Sequence, residues 1–322
     1  MPTTTKTTAR TTTATSRTTT STPTSTDRVD VRKTYKLYIG GKFPRSESGR
    51  SYEVFSSGRT PAFLANAAMG SRKDARDAVL AARAAVSGWA GATAYNRGQV
   101  LYRVAEVMEG RRAQFVAEVR ASEGVTERRA ETLVSQAIDR WVWYAGWSDK
   151  LAQVLGGLNP VAGPYFDISA PEPTGVVAVL APQRSSLLGL VSVVAPVIVS
   201  GNTTVVLASE HRPLPAITLS EALATSDVPG GVVNIITGRT AEVSPWLASH
   251  RDVNAIDLAG AAEADGLPWG DLELAAAENL KRVLRPAGTG TEAAEPDWTA
   301  TPDLSRMTAF LETKTVWHPK GR

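Results

Sequence analysis

The 322-residue sequence contains no cysteine. That excludes disulfides, thiolate metal sites and a cysteine nucleophile. It has three histidines, His211, His250 and His318, far apart and without a partner at ligand spacing, so no metal site is expected. No apolar run reaches 18 residues; the longest, Leu187 to Val199, is interrupted by Gly189, Ser192 and Pro196 and reads as buried structure rather than a membrane span. There is no Gly-x-Ser-x-Gly elbow and no Gly-x4-Gly-Lys-Ser/Thr phosphate loop. Gly288-Thr-Gly290 follows no strand and opens no helix. The carboxylate pair Glu292/Glu295 reads as part of a solvated linker rather than an acid/base pair.

Charge is nearly balanced as well. The net charge is +3, and residues 1–26 supply all of it through Lys6, Arg10 and Arg17 with no acid. The remainder sums to zero, which argues against a nucleic-acid surface. That leader holds fifteen threonines and almost nothing apolar to bury, so residues 1–34 are expected to be disordered. It lacks the apolar core of a secretory signal, and a cytoplasmic location is expected.

What is present is an ordinary soluble mixture, 43% hydrophobic and 21% charged, long enough for about two domains. Tyr35 to Phe43 suggests a hairpin turning at Gly40-Gly41, and Ser51–Phe55 a strand. Ser71 is placed to cap a helix whose apolar stripe is Ala75, Ala78, Val79, Ala82, Ala85 and Val86. Further helices are expected over 96–110, 112–122 and 126–154. The last carries Trp141, Trp143 and Trp147, read as packing rather than as a ligand platform. Beyond Gly163-Pro164, strands alternate with helices: strands at Tyr165–Ser169, Gly175–Leu180, Thr203–Leu207, Gly231–Ile236 and Val253–Leu258, and helices at 186–199, 213–225 and 241–249. Continuous Val/Ile/Leu strands separated by helices indicate an α/β fold with a parallel sheet covered on both faces. Residues 285–305 read as a linker, and Phe310–Trp317 as a last strand enclosed by other elements.

Several segments in order resemble the aldehyde dehydrogenase superfamily, from Tyr35 to about Val283 and again at the end. They are Tyr38-Ile-Gly-Gly-Lys42; Arg97-Gly98-x-x-Leu101-x-Arg103-x-Ala105; Pro173-x-Gly175-Val-Val177 ahead of Ala181-Pro182; Ser200-Gly-Asn-Thr203; Pro229-Gly-Gly-Val-Val-Asn234-x-x-Thr237-Gly238; and His250-x-Asp252-Val253 ahead of Gly260. The resemblance implies a Rossmann-like NAD or NADP domain over 35–284. It also implies a small β oligomerisation arm that joins a hairpin near 160–180 to the closing strand within 306–322. Between Glu273 and Phe310 only 36 residues remain where the family fits its catalytic domain, so that domain is largely missing.

The resemblance also assigns positions. The family's Pro-Trp-Asn becomes Pro182-Gln183-Arg184, putting Arg184 at the oxyanion-stabilising position. Its ribose-gripping Lys-Pro-Ser-Glu becomes Ala208-Ser209-Glu210. Its cofactor-loop Gly-x-Gly becomes Gly238-Arg239-Thr240, and Phe-Thr-Gly-Ser becomes Leu258-Ala259-Gly260-Ala261. Ser209, Glu210, Gly238 and Gly260 are therefore the expected remnants of cofactor binding, with affinity weak or lost. The helix expected after Gly260 is squeezed out, since Leu272-Glu-Leu274 follows Ala261 within a dozen residues. That piece resembles the family's Glu-Leu-Gly-Gly-Lys, which puts Glu273 on the general-base position, with Ala275, Ala276 and Ala277 in place of two glycines and a lysine. A base without a thiolate cannot form the thiohemiacetal from which hydride passes to NAD. The first reading is thus a non-catalytic homologue assembling with a complete aldehyde dehydrogenase subunit, or with itself. The alternatives are an NAD(P)-dependent oxidoreductase acting on aldehydes with catalytic parts supplied by a partner, and a decayed gene product.

Overall fold

Tyr38 sits beside the edge of the main sheet, exchanging backbone hydrogen bonds with Ile235 at 2.9 and 2.7 Å. The computed structural model describes residues 1, 3, 33–288 and 293–321, so most of the leader, and Thr289 and Gly290, lie outside the described residues. The turn after Tyr38 is as expected. Ile39 and Lys42 close it with two bonds of 2.9 and 3.0 Å, and Gly40 and Gly41 take φ of +60° and +77°. Glycines suit both positions of such a turn.

Strands β1 (Ser51–Phe55) and β2 (Phe63–Ala68) form an antiparallel pair. Helix α1 (Arg72–Gly91) opens on a capping box: the Asp74 N–H donates to Ser71 Oγ at 3.3 Å, and the Ser71 N–H donates to Asp74 Oδ2 at 2.8 Å. Its Ala75, Ala78, Val79 and Ala82 are fully buried, and these small side chains let the helix lie close to the sheet. Helices α2 (Ala94–Gly110), α3 (Arg112–Glu123) and α4 (Glu127–Ala145) follow. The single helix expected over 126–154 ends at Gly146, and a short α5 (Leu151–Leu155) stands apart. Trp141 is fully buried, and Trp143 packs on Trp147 at 5.7 Å, in agreement with the packing reading.

Next come β3 (Gly157–Asn159), β4 (Tyr165–Pro173), β5 (Val176–Leu180), α6 (Leu188–Val199), β6 (Thr203–Leu207), α7 (Leu214–Ala224), β7 (Val233–Ile236), α8 (Thr240–Ser249) and β8 (Ala255–Asp257). A 3-10 turn (Ala259–Glu263), α9 (Trp269–Ala277), β9 (Arg282–Leu284), α10 (Ser305–Thr308) and β10 (Leu311–Pro319) complete the chain. The main sheet is parallel, in the order β7-β6-β5-β8-β9. Successive residues of β5 point to opposite clusters, Val177 and Val179 to one and Val176, Ala178 and Leu180 to the other, so both faces are covered. The chain leaves β5 toward β6 and β7, then returns to β8 on the other side. The topological switch point therefore lies at the carboxyl ends of β5 and β8, where open α/β sheets bind ligands.

Three expectations are corrected. The helix after Gly260 is not squeezed out, because α9 fills the crossover from β8 to β9. The described part of 285–305 is not a free linker: Trp298 is buried, and the buried Arg140 donates to the Trp298 and Ala300 carbonyls at 3.0 and 2.9 Å. The last strand is not enclosed. β10 pairs with β4 of its own chain over nine residues, from Leu311↔Pro173 to Pro319↔Tyr165, and is exposed along almost its whole length. With β3 it makes a separate three-stranded sheet in the order β10-β4-β3, where the resemblance puts the arm. Among the described residues no helix is long and apolar enough to cross a membrane.

Candidate functional site at the carboxyl edge of the sheet

Gln183, just beyond β5, is the hub of the switch-point crevice. Its side-chain Nε2 donates to the Ala181 carbonyl at 2.8 Å, and its Oε1 accepts the Glu210 N–H at 3.0 Å. Its backbone carbonyl accepts from Ser209 Oγ at 3.0 Å. The exits of β5 and β6 are thereby tied together, with Gln183, Ser209 and Glu210 all buried.

The Glu210 carboxylate faces α8. One oxygen pairs with Arg239 at 2.5 Å, and the other accepts the Thr240 N–H at 2.9 Å. A carboxylate at the first turn of a helix satisfies a free N–H and suits the positive end of the helix dipole. Beside it, burial and then the Glu210 charge push the Tyr52 hydroxyl well above its ordinary range. Tyr52, Glu53, Glu210, His211 and Arg239 line a cavity of about 480 Å³, and His211 meets Asp265 at 3.0 Å.

Both glycines expected at the cofactor serve close packing. Gly238 has φ of +143°, and a Cβ there would stand 3.0 Å from the Gly70 nitrogen. At Gly260 a Cβ would stand 2.1 Å from the Ala181 carbonyl oxygen, because the 3-10 turn presses on the exit of β5.

Arg184 points largely into solvent and ion-pairs with Glu263 of the 3-10 turn, while its carbonyl accepts from Arg212. Glu273 is elsewhere. It lies within α9 and its carboxylate pairs with Arg285 at 2.6 Å. The base assignment rested on the likeness of Leu272-Glu-Leu274 to the family's Glu-Leu-Gly-Gly-Lys; in the structure that stretch is part of a helix. The fold thus gathers Arg184, Ser209, Glu210, Gly238 and Gly260 around the carboxyl edge and leaves Glu273 out of that network.

The sequence reading missed Gln183 as the hub, Arg239 as the partner of Glu210, and Glu295. Glu295, read as part of a solvated pair, is partly buried and accepts from the N–H groups of Gln183 and, at 3.4 Å, Arg184. Its one local signal was Trp298, three residues on, whose indole also donates to it, at 3.1 Å. Among the described residues no group of three or more His, Asp or Glu could hold a metal ion.

Residues 43–289 match the model of the aldehyde dehydrogenase family. The chain belongs to that family. It is 32% identical over 267 residues to retinal dehydrogenase 2 of Gallus gallus, a match that covers 82% of this chain and 50% of the relative. The crystal structure of HpcC from Thermus thermophilus superposes with a TM-score of 0.73 at 26% identity, over 79% of this chain and 48% of that one. The NAD+ complex of aldehyde dehydrogenase from Bacillus cereus shares the fold, with a TM-score of 0.71 at 24% identity over 78% and 50% of the two chains. The chain therefore spans about half the length of the aldehyde dehydrogenases it matches. The Rossmann-like sheet lies within the matched residues, whereas β10, which completes the small sheet, lies beyond them.

Proposed function

We propose that this chain is a non-catalytic aldehyde dehydrogenase homologue that assembles, through its β3–β4–β10 sheet, with a complete aldehyde dehydrogenase subunit. The observation that carries the reading is the surface of that sheet. Leu158, Ile168 and Val316 lie side by side across the three strands, with Phe166 next along β4, and they are 65%, 45%, 42% and 44% exposed. A row of uncovered apolar side chains on a sheet with an open β10 edge is an interaction surface or an aggregation site. A partner's sheet or helix laid on it would cover both.

Absence of chemistry supports the other half. Thiolate attack on an aldehyde needs a cysteine, and the sequence has none. As they stand, the residues at the cofactor positions fit a dinucleotide poorly. Both Glu210 oxygens already have partners, and Gly238 and Gly260 spend their missing side chains on packing. A ribose or pyrophosphate would have to displace Arg239 or the α8 N–H from Glu210, so binding is weak on this reading.

The test is co-expression of the tagged chain with a complete aldehyde dehydrogenase subunit, followed by size exclusion and native mass measurement. A mixed assembly is expected, abolished by Ile168→Asp with Val316→Asp, which load an exposed face and leave the fold intact. The purified chain alone is expected to give no NADH from aldehydes. A self-assembled oligomer that excludes the complete subunit, partner recovery unchanged by the two substitutions, or saturable aldehyde oxidation by the chain alone would each defeat the reading.

A further inference from the structure

Residues 293–304 run from the exit of β5, past α4 and α6, toward the end of β8. They are fixed at both ends by charged groups. Near the far end, Arg140 of α4 bonds the Trp298 and Ala300 carbonyls and also Ser192 Oγ of α6, at 3.0 Å. The Arg306 guanidinium stacks 5.3 Å from the centroid of the Trp298 ring and pairs with the fully buried Asp257. At the near end Ala294 exchanges backbone hydrogen bonds of 2.8 and 3.0 Å with Ala287, and the hold on the exit of β5 itself is a single carboxylate. Glu295 accepts the N–H of Gln183, the N–H of Arg184 and the indole N–H of Trp298.

We propose that residues 293–304 are a pH-sensitive strap over the exit of β5, with Glu295 as its latch, held more firmly in acid and loosened as pH rises.

The surroundings of the latch make it so. It lines a cavity of about 320 Å³ shared with Glu263 of the 3-10 turn, Glu123 of α3, Arg129 of α4, Arg184 of the β5–α6 loop and Asp297 of the strap itself. Four carboxylates thus face two guanidinium groups, and Arg184 is already paired with Glu263. Glu123 grips the same loop, accepting the Ser186 N–H at 2.7 Å and its hydroxyl at 2.8 Å. Burial, the largest influence, and the Glu263 charge lift Glu295 above the usual carboxylate range, against the pull of Trp298 and Gln183. Glu123 is lifted too, by burial. A carboxyl with a raised pKa when docked binds its proton more readily docked than released. Protonation therefore favours docking. Once neutral, Glu295 still accepts the two backbone N–H groups through its carbonyl oxygen and no longer repels Glu263.

Amide hydrogen exchange read by mass spectrometry tests this on the full chain, with protection over 182–187 and 293–304 corrected for intrinsic rates at each pH. Opening of both segments is expected to rise together by up to about tenfold per pH unit just above the usual carboxylate range, then level off. Glu295→Gln, neutral and of the same shape, is expected to stay protected with a flat profile, whereas Glu123→Gln keeps the rise. Glu263→Gln, which removes the repelling charge, is expected to move the rise to lower pH, and it serves if Glu295→Gln does not fold. An unchanged rise in Glu295→Gln, or protection independent of pH in the unaltered chain, would overturn the proposal.

Discussion

Asp257, fully buried at the end of β8, is ion-paired with Arg306, 49 positions later in the short helix before the last strand. Its other oxygen accepts the Ala259 N–H at 3.0 Å, so the carboxylate has partners on both sides. Removing one member of such a pair strands a charge where water cannot reach it. Arg306→Met is expected to cost about 3 kcal/mol in urea unfolding. Asp257→Asn combined with Arg306→Met should cost less than the sum of the two single changes. Strict additivity would show that the pair is not coupled.

Gly260 tests whether its position serves packing. Alanine there would drive a Cβ into the Ala181 carbonyl, and relief requires the 3-10 turn or the exit of β5 to move. The expected cost is about 2–3 kcal/mol, read as a lowered thermal midpoint with no ligand present. Gly270, in α9, is the control, since nothing lies within 4 Å of where its added methyl would stand. Gly270→Ala is expected to be neutral or to stabilise by up to about 1 kcal/mol.

Lys281 introduces a dependence in the alkaline range. Its Nζ donates to Asn279 Oδ1 at 2.5 Å, and burial pulls it down from 10.5 to about 8. Below about pH 8 the ammonium is carried both folded and unfolded, and the fold bears the full cost of burying it. Between about 8 and 10.5 the unfolded chain holds more protons, so stability rises with pH. Lys281→Met keeps the stem and drops the charge. It is expected to stabilise the chain by about 1–2 kcal/mol at pH 7, with the advantage shrinking toward pH 10.5. An equal difference at both ends of that range would refute the assignment.

The strand–helix alternation from β5 to β8 was legible because buried parallel strands are runs of Val, Ile and Leu, as in Val176–Leu180 and Thr203–Leu207. Ser71 as a cap was legible because capping is local. β2 was not, since Phe63-Leu-Ala-Asn-Ala-Ala breaks the alternation that marks a half-buried strand. The three-residue β3 and β9 are too short to carry a period at all. α9 was misread through a motif, although its run of alanines favours a helix. The site was legible only as positions. That Glu210 would turn to Arg239, or Gln183 to Glu295 from 112 residues away, depends on contacts that only the assembled sheet creates.

The ladder between β4 and β10 sets a timetable for synthesis. Ser169 and Thr315, whose hydroxyls meet at 2.8 Å across it, are 146 positions apart. At ~5–20 residues per second a ribosome needs roughly 7–30 s to travel from one to the other. Throughout that interval β4 has only the three-residue β3 beside it, and its other edge is bare. The nascent chain therefore offers an open strand template long before its own partner exists, so the outcome of that wait depends on how crowded the polysome is with sister chains.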